Sequence, residues 1–357
     1  MYGCVDIGFA PYNESIQLRE ICVMELLSVR RVKTFKTVRE EEVVCLIERI
    51  SRSSSKGASV NLFAMSHILT VHIIFRCAFG RKFSNIDAQN GFADLPEELM
   101  SGLLSFSFAD SIPILGWLDI VTGLITRLKK TARKLEVNKI SKKLTRDKIK
   151  ALILDMFVSG TETSSRVIEW AMSELIRNPK IMKKAQEEVR RIVREKGKLK
   201  LDADIQEMDY LKCVVKEAFR LHPPTPILRR ESSQSVNIKG YLLPPKTKVM
   251  INAWTIQRDQ DTWSCAEEFI PERFIGSKFD FKGLDFEYFP FGSGRRICPG
   301  ISFGSGVVEI VLANLLFWFD WQMPGGADEK GLDMTDSFQT RGARECPLQL
   351  VAAPHFN

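Results

Sequence analysis

The sequence lacks the cysteine spacing that marks zinc-binding and redox-dithiol proteins. Its eight cysteines are scattered over 357 residues, and no two of them form a C-x-x-C pair. Without that spacing, neither a zinc site nor a redox dithiol is supported. Most of the cysteines stand in apolar stretches, where a free cysteine behaves as a small core residue. This usage favours a reducing compartment over a disulfide framework.

The sequence also lacks a visible targeting or membrane-spanning segment. Its first residues have neither the basic nor the apolar region of a secretory signal. The best apolar run, Val307–Phe319, is interrupted by Glu309 and Asn314 and is too short to cross a bilayer. We therefore expect a chain that is soluble or peripherally attached to a membrane.

No pattern in the sequence indicates a nucleic-acid partner. The net charge is +7, but the positive residues are not tied to a zinc finger, an aromatic RNA-binding motif or a helix-turn-helix. A moderate net positive charge of this kind favours solubility. It also suits contact with an acidic protein or with an anionic membrane surface.

The chain does contain enough apolar residues for a large core, at 45% of the total. Amphipathic helical patterns run as far as Leu221, and the longest of them is Leu144–Asn178. Short β-branched segments follow and predict hairpins, and a buried helix is predicted at Phe303–Phe319. We predict one domain over residues 1–357, mainly α with small β-sheets (α+β). The predicted hairpin strands are Ser235–Ile238, Tyr241–Leu243 and Lys246–Ala253.

The most informative stretch is Phe291–Gly300, which combines a cysteine, two arginines and several glycines. A thiolate such as that of Cys298 is a soft metal ligand, and glycines let the backbone approach a bulky group. Arginines can neutralise anions on the same group. Haem bound through an axial cysteine needs all three features, although an inert buried cysteine is the alternative.

Three other motifs are weak when each is taken alone. The segment Ser159–Thr163 places a glycine and hydroxyl residues around a carboxylate inside the longest helix, which also suits a simple kink. Glu217 and Arg220 share a helix face, as common surface pairs do. The segment Pro271–Phe274 lies in a meander rich in proline, glycine and aromatic residues.

Together, in this order and spacing, the four motifs resemble the cytochrome P-450 family, in particular its plant microsomal members. The resemblance extends over nearly the whole chain and implies a haem b cofactor. Cys298 would be the ligand of the haem iron, and Glu217, Arg220 and Arg273 would form a buried structural network. The other residues that the resemblance implies to contact the haem are Phe291, Gly300 and the arginines Arg19, Arg230 and Arg296.

The resemblance also implies a reaction. Glu162 and Thr163 would deliver the protons that oxygen activation needs, so the family resemblance predicts a monooxygenase that uses O2. Electrons would come from NADPH through a flavoprotein reductase, at the cytosolic face of the endoplasmic reticulum. The substrate would be an apolar plant secondary metabolite such as a terpenoid, an alkaloid or a phenolic compound. Its pocket would be bounded by Phe157, Ser159, Ile227 and Phe338.

The chain departs from the family pattern in three places. The family's membrane anchor and first strands are expected before residue 10 but are absent, which would leave a sheet edge open near Lys246–Ala253. Ser15 and Ile16 stand where the family usually has Trp and Arg. The segment Lys134–Leu144 is expected to be shortened. These departures leave a second hypothesis open, namely a truncated, non-catalytic remnant of a haem site.

Overall fold

The computed structural model describes residues 7–8, 12–83, 146–196, 204–281, 283–326, 331–337 and 342–356. The helices are α1 (Tyr12–Ile21), α2 (Val29–Thr34), α3 (Lys36–Ser54), α4 (Leu62–Phe79), α5 (Arg146–Arg177), α6 (Pro179–Lys196), α7 (Asp209–Leu221), α8 (Ala253–Ile256) and α9 (Ile301–Trp318). The strands are β1 (Val60–Asn61), β2 (Ile227–Glu231), β3 (Val236–Ile238), β4 (Tyr241–Leu243), β5 (Lys248–Asn252), β6 (Phe319–Gln322) and β7 (Gln349–Pro354). A mainly helical fold with small sheets is therefore confirmed.

Local signals in the sequence account for the main helix ends. The side chain of Asn61 accepts a hydrogen bond from the Ala64 N–H at 2.9 Å and so caps the start of α4. Gly80 ends the same helix in the left-handed conformation, with φ of 69°. The predicted stop of the longest helix is confirmed, because α5 ends immediately before Asn178 and Pro179.

The core lies where α4, α5, α7 and α9 meet. Helix α5 packs against α4, α7 and α9, and its buried residues include Trp170 and Met172. Helix α9 is apolar on nearly all sides and is buried between α3, α5, α6 and α7. The helix with the Ser159–Thr163 motif and the helix that follows Cys298 are therefore direct neighbours.

Among the residues that the structure describes, two helices resemble membrane spans in length and composition. They are α4 and α9, each 18 residues long, with mean hydropathies of 1.6 and 1.7. Two-thirds of α9 is buried inside the protein, at 67%, as is usual for the core helix of a globular domain. The predicted buried helix Phe303–Phe319 is confirmed by α9, which contains both Glu309 and Asn314.

The sheets differ from the prediction in one pairing. Strands β3 and β4 form the predicted hairpin, whose turn residues Lys239 and Gly240 both have positive φ. Strand β5 pairs instead with β2, antiparallel, with Ile227 opposite Asn252. Strand β2 contains two consecutive arginines and lacks apolar alternation, so its sequence did not predict a strand. Strands β1, β7 and β6 form a third, antiparallel sheet.

Candidate active site

The Cys298 loop is closed by its own backbone. The Cys298 N–H donates to the Phe291 carbonyl at 2.9 Å, and the chain between them turns through Gly292 and Gly294, with φ of 72° and 67°. Only glycine adopts such angles without strain. The Gly300 N–H donates to Cys298 Sγ at 3.3 Å, just before α9 begins. The loop thus presents the sulfur at the N-terminal end of a buried helix.

Opposing influences act on the Cys298 thiol. Burial raises its pKa, whereas the hydrogen bond from Gly300 and the positive charge of Arg19 lower it. Donors and positive charges near the sulfur stabilise the thiolate, which is the form that binds a metal. A metal cation bound at the sulfur would also lower the pKa of the thiol, as Arg19 does.

Three arginines, here called the arginine cluster, lie beside this loop: Arg19, Arg230 and Arg296. Arg19 donates to the carbonyl of Ile297, next to the cysteine, and Arg296 Nη1 donates to the Ile7 carbonyl at 3.0 Å. Burial first, and then the positive charges of Arg296 and Arg19, lower the pKa of the Arg230 guanidinium. The cluster therefore concentrates positive charge next to Cys298, as a ligand with anionic groups would require.

Small residues make room for this arrangement. A Cβ added at Gly292 would lie 3.4 Å from Arg230 Nη2. A Cβ at Gly304, one turn into α9, would lie 4.0 Å from the Phe291 ring and 3.8 Å from Ser164 Oγ on α5. The Phe291 ring itself packs against Phe219, with ring centroids 4.8 Å apart. Phe291 therefore joins the loop to both α7 and the contact between α5 and α9.

Glu217, Arg220 and Arg273, here called the Glu217 network, are joined by close contacts. Glu217 Oε2 accepts from Arg220 Nε at 2.8 Å, and Oε1 accepts from Arg220 Nη2 at 2.8 Å and from Arg273 Nε at 2.9 Å. Arg220 also donates to the carbonyls of Gln257 and Ala266, at 2.9 and 2.7 Å. Glu217 and Arg220 are fully buried, so this network ties α7 to the meander that precedes the Cys298 loop.

Glu162 and Thr163 are neighbours on α5 with different partners. Glu162 is buried and forms an ion pair with Arg166, one turn further along the helix. The Thr163 hydroxyl donates to the Ser159 carbonyl. Gly160 has a packing role, because a Cβ there would lie 2.7 Å from Ile74 Cδ1 on α4. A glycine at this position thus permits the close approach of α4 to α5.

The described residues proposed as pocket walls have different surroundings. Phe157 is fully buried, and its ring packs against Phe75 and Phe79 with centroids 6.3 and 6.1 Å apart. It is therefore a core residue between α4 and α5 and not a pocket wall, because its side of α5 faces α4. Ile227 lines a cleft together with His222, Trp254 and Ser337. Ser159 is exposed on α5, and Phe338 lies outside the described residues.

Known proteins resemble this chain over most or all of its length. The family model for cytochrome P-450 matches residues 5–140 and 129–342. Cytochrome P-450 71A1 of Persea americana is 43% identical over 395 residues, which cover 100% of this chain and 78% of that protein. The chain belongs to the cytochrome P-450 family. It is accordingly an oxidoreductase of the P-450 monooxygenase class, with a haem-iron cofactor.

Other relatives in the family act in plant secondary metabolism. Desmethylyatein synthase of Sinopodophyllum hexandrum is 42% identical and covers 98% of this chain and 77% of its own length. A phenylacetaldehyde oxime monooxygenase of Prunus mume is 41% identical, with 99% and 74% covered. Plant P-450 enzymes of this type generally take apolar substrates, receive electrons from a reductase and are typically microsomal membrane proteins.

The alignments also bear on the expected shortening of the chain. The match with the Persea protein runs over 395 residues, whereas this P-450 chain has 357. The two parts of the family match overlap at residues 129–140, around the segment where the sequence predicts a shortening. That segment, Lys134–Leu144, lies outside the described residues.

The residues around Cys298 fit a haem. The sulfur supplies a soft ligand for iron, and the like-charge repulsion within the arginine cluster would be relieved by the two carboxylates of a porphyrin. Glycines at 292, 300 and 304 keep side chains out of the space around the loop. This P-450 chain therefore retains, in its described residues, a donor set and a charge distribution suited to the cofactor.

One group of interacting residues was not predicted from the sequence. His222 Nε2 lies 2.7 Å from Glu174 Oε1, and its ring stacks on Trp170 with centroids 3.9 Å apart. The Trp170 Nε1–H donates to the Gly342 carbonyl at 2.7 Å. The spacing of Trp170 and Glu174 by one helical turn was the available signal. The group joins α5 to two of the segments that line the cleft.

Proposed function

We propose that this protein is a haem b-dependent monooxygenase that inserts one oxygen atom from O2 into an apolar plant secondary metabolite. NADPH would supply the electrons through a flavoprotein reductase, at the cytosolic face of the endoplasmic reticulum. The proximity of Cys298 to the arginine cluster, in a chain of this family, is the observation that carries the proposal.

Each residue around the loop has a binding role in this proposal. Cys298 would bind the iron as a thiolate, and the Gly300 N–H would moderate the sulfur's negative charge. Arg19, Arg230 and Arg296 would pair with the propionate carboxylates, in charge-assisted hydrogen bonds. When bound, haem with a thiolate ligand supplies oxygen activation and transfer of one oxygen atom to the substrate.

Residues of α5 would move the protons that this chemistry consumes. The Thr163 hydroxyl now donates to the Ser159 carbonyl, and rotation about χ1 would turn the proton away from the helix. Glu162 would take up a proton from water and pass it to Thr163, and its ion pair with Arg166 holds the buried side chain against its own helix. The two residues would thus form a relay along one turn of α5.

The substrate is proposed by class only. The relatives carry names as different as desmethylyatein synthase, phenylacetaldehyde oxime monooxygenase and melianol synthase. This range supports a plant secondary metabolite, because the terpenoid, lignan and oxime chemistries share apolar carbon skeletons. Ile227 and Ser159 remain proposed contacts of the substrate, and the proposed pocket excludes Phe157.

A second candidate function follows from the length of the alignment. Because the relatives carry residues within the aligned region that this chain lacks, the chain is alternatively a haem-binding remnant without turnover. The two candidates share the cysteine site and differ in catalysis. They are separated by measuring NADPH-driven product formation with a reductase present, after haem binding has been established.

The experiment that tests the haem site is a reduced carbon monoxide difference spectrum of the full chain expressed with a haem precursor. We expect the red-shifted Soret band of a thiolate-ligated haem. Cys298→Ser should abolish that band, whereas Cys346→Ser, at an exposed cysteine, should keep it. A band that persists in Cys298→Ser, or a wild-type chain without bound haem, would refute the proposed ligand.

A further inference from the structure

The cleft beside Ile227 lies between two walls that come from distant parts of the chain. One wall is the segment after α7, which includes His222 and Ile227, and the other wall includes Ser337 and Gly342. The walls approach each other closely at Gly342, where an added Cβ would lie 2.6 Å from the Pro223 carbonyl oxygen. The shape of the cleft therefore depends on how these two segments are held relative to each other.

The cleft borders the Cys298 loop through strand β2. Ile227 begins this strand, and the next residue, Leu228, lies beside the loop, since its Cδ1 would be 3.8 Å from a Cβ added at Gly292. Arg230 of the arginine cluster follows on the same strand, about 10 Å from Ile227 at the usual rise of a strand. A ligand in the cleft would therefore lie at the edge of the site proposed for haem.

Trp170 on α5 contacts both walls with one side chain. Its ring stacks on the His222 ring, with centroids 3.9 Å apart and planes inclined by 7°. Its Nε1–H donates to the Gly342 carbonyl at 2.7 Å. Trp170 is fully buried, so close packing holds the ring in one orientation. The stacking contact fixes one wall to α5, and the hydrogen bond fixes the other.

Each wall has a further attachment close to Trp170. His222 Nε2 lies 2.7 Å from Glu174 Oε1, one helical turn along α5. The Arg344 guanidinium lies 5.1 Å from the Trp170 ring centroid, and the backbone of Arg344 pairs with that of Asp336 in the cleft wall. His222, Glu174 and Arg344 are all buried, where hydrogen bonds and charge contacts are stronger than in water.

We propose that Trp170 and His222 are positioning residues that set the substrate specificity of the cleft, because they fix its two walls to α5. The same helix carries Thr163, two turns before Trp170, or about 10 Å along the helix axis. Helix α5 therefore supports both the proposed proton relay and the cleft. This inference rests on the proposed function in one respect, since it takes the cleft as part of the substrate site.

Two imidazole compounds test this assignment on the haem-loaded full chain. Both bind haem iron through a ring nitrogen and shift the Soret band, but imidazole is small, whereas clotrimazole carries three aryl groups that must fit between the walls. Trp170→Phe keeps a stacked ring and removes the hydrogen bond to Gly342. It should weaken clotrimazole binding about fivefold or more, because the ligand must then order a wall that the parent chain holds in place. Imidazole affinity should stay the same.

Variants of His222 test the other wall. The amide of His222→Gln can still donate to Glu174, whereas His222→Leu cannot. His222→Leu should weaken clotrimazole binding as Trp170→Phe does, and His222→Gln should recover part of the loss. The matched control is Trp321→Phe, which loses a similar hydrogen bond, to the Leu315 carbonyl at 3.0 Å, but lies in the β1–β7–β6 sheet. This control should bind both compounds as the parent chain does.

Hydrogen exchange on the haem-free chain separates this inference from the proposed function. The amides of residues 331–337 should exchange faster in Trp170→Phe than in the parent chain and in Trp321→Phe. Equal exchange in the three chains, or an unchanged ratio of clotrimazole to imidazole affinity, would overturn the assignment of Trp170. A parent chain that binds no haem would refute the proposed function instead, and the exchange rates would still show whether Trp170 holds the wall.

Discussion

Two groups of arginines differ in the charges that surround them. In the Glu217 network, Arg220 donates to a carboxylate and to the carbonyls of Gln257, Ala266 and Glu268. In the arginine cluster, the pKa of Arg230 is lowered by burial and by the neighbouring charges of Arg296 and Arg19. The first group is satisfied by the polypeptide alone. The second places three positive charges close together, and the repulsion from Arg296 and Arg19 acts on Arg230.

The largest predicted effect is in the Glu217 network. Glu217→Gln should lower the free energy of unfolding by about 3–5 kcal/mol, because it leaves two buried guanidinium groups without their carboxylate. Urea unfolding followed by circular dichroism measures this loss. The control is Glu195→Gln, which breaks an exposed pair with Arg191 and should cost less than about 0.5 kcal/mol. Equal costs in the two variants would show that the network does not stabilise the fold.

A half-buried carboxylate on α9, Glu309, contrasts with Glu217, whose charge is paired with Arg220. Burial raises the pKa of Glu309 from 4.5 to about 7, and the charges of Lys212 and Lys216 on α7 offset only part of that effect. The folded protein therefore holds this proton more tightly than the unfolded chain does. Below pH 4.5 the group is neutral in both states and has no effect on stability. As the pH rises through about 7, its ionisation costs the folded state stability.

Glu309→Gln should remove that cost. The variant should be close to the parent protein in stability near pH 4.5 and exceed it by about 3–3.5 kcal/mol at pH 8, since each unit of pKa shift corresponds to about 1.4 kcal/mol. Urea unfolding at several pH values measures the difference. A difference that stays constant with pH would mean that Glu309 ionises alike in the folded and unfolded chains.

Removing an arginine from the arginine cluster should have a different effect on stability from removing the carboxylate of the Glu217 network. Arg230→Met should leave the haem-free protein as stable as before or more stable, because it removes a partly buried charge that Arg296 and Arg19 repel. The same change should weaken haem binding about tenfold to a hundredfold, the value of one or two charge-assisted hydrogen bonds. Haem titration by absorbance measures the affinity. The control is Arg229→Met, an exposed neighbour on β2, which should keep haem affinity.

The Glu217 network and the arginine cluster also show how much of the site could be predicted from the sequence alone. Glu217 and Arg220 were predicted as a network with Arg273 because the motifs occur together, and the structure places all three in contact. The distance in sequence between Arg220 and Arg273 means that no local pattern could pair them. The spatial convergence of Arg19 with Arg230 likewise came from family resemblance, since nothing in helical or strand periodicity relates them.

Sequence reasoning was weaker where tertiary packing decides the role of a side chain. Phe157 stands beside the Ser159–Thr163 motif, which favoured a pocket wall, yet it faces α4 and is a core residue. The proximity of Gly160 to Ile74 likewise could not be predicted without knowing which helix lies against α5. Periodicity indicates that a helix has a buried face but does not identify the element that covers it.

The smallest effect on stability is expected at Thr163. Thr163→Val keeps the β-branched shape and removes one hydroxyl whose hydrogen bond goes back to the Ser159 carbonyl of its own helix, so unfolding should change by less than about 1 kcal/mol. Haem affinity should also be unchanged, unlike in Arg230→Met. If Thr163 holds the proposed proton, the variant should form less product for each O2 consumed, as measured by oxygen uptake against product. Thr163→Ser, which restores a hydroxyl, should recover that ratio, and unchanged coupling in Thr163→Val would remove the residue from the relay.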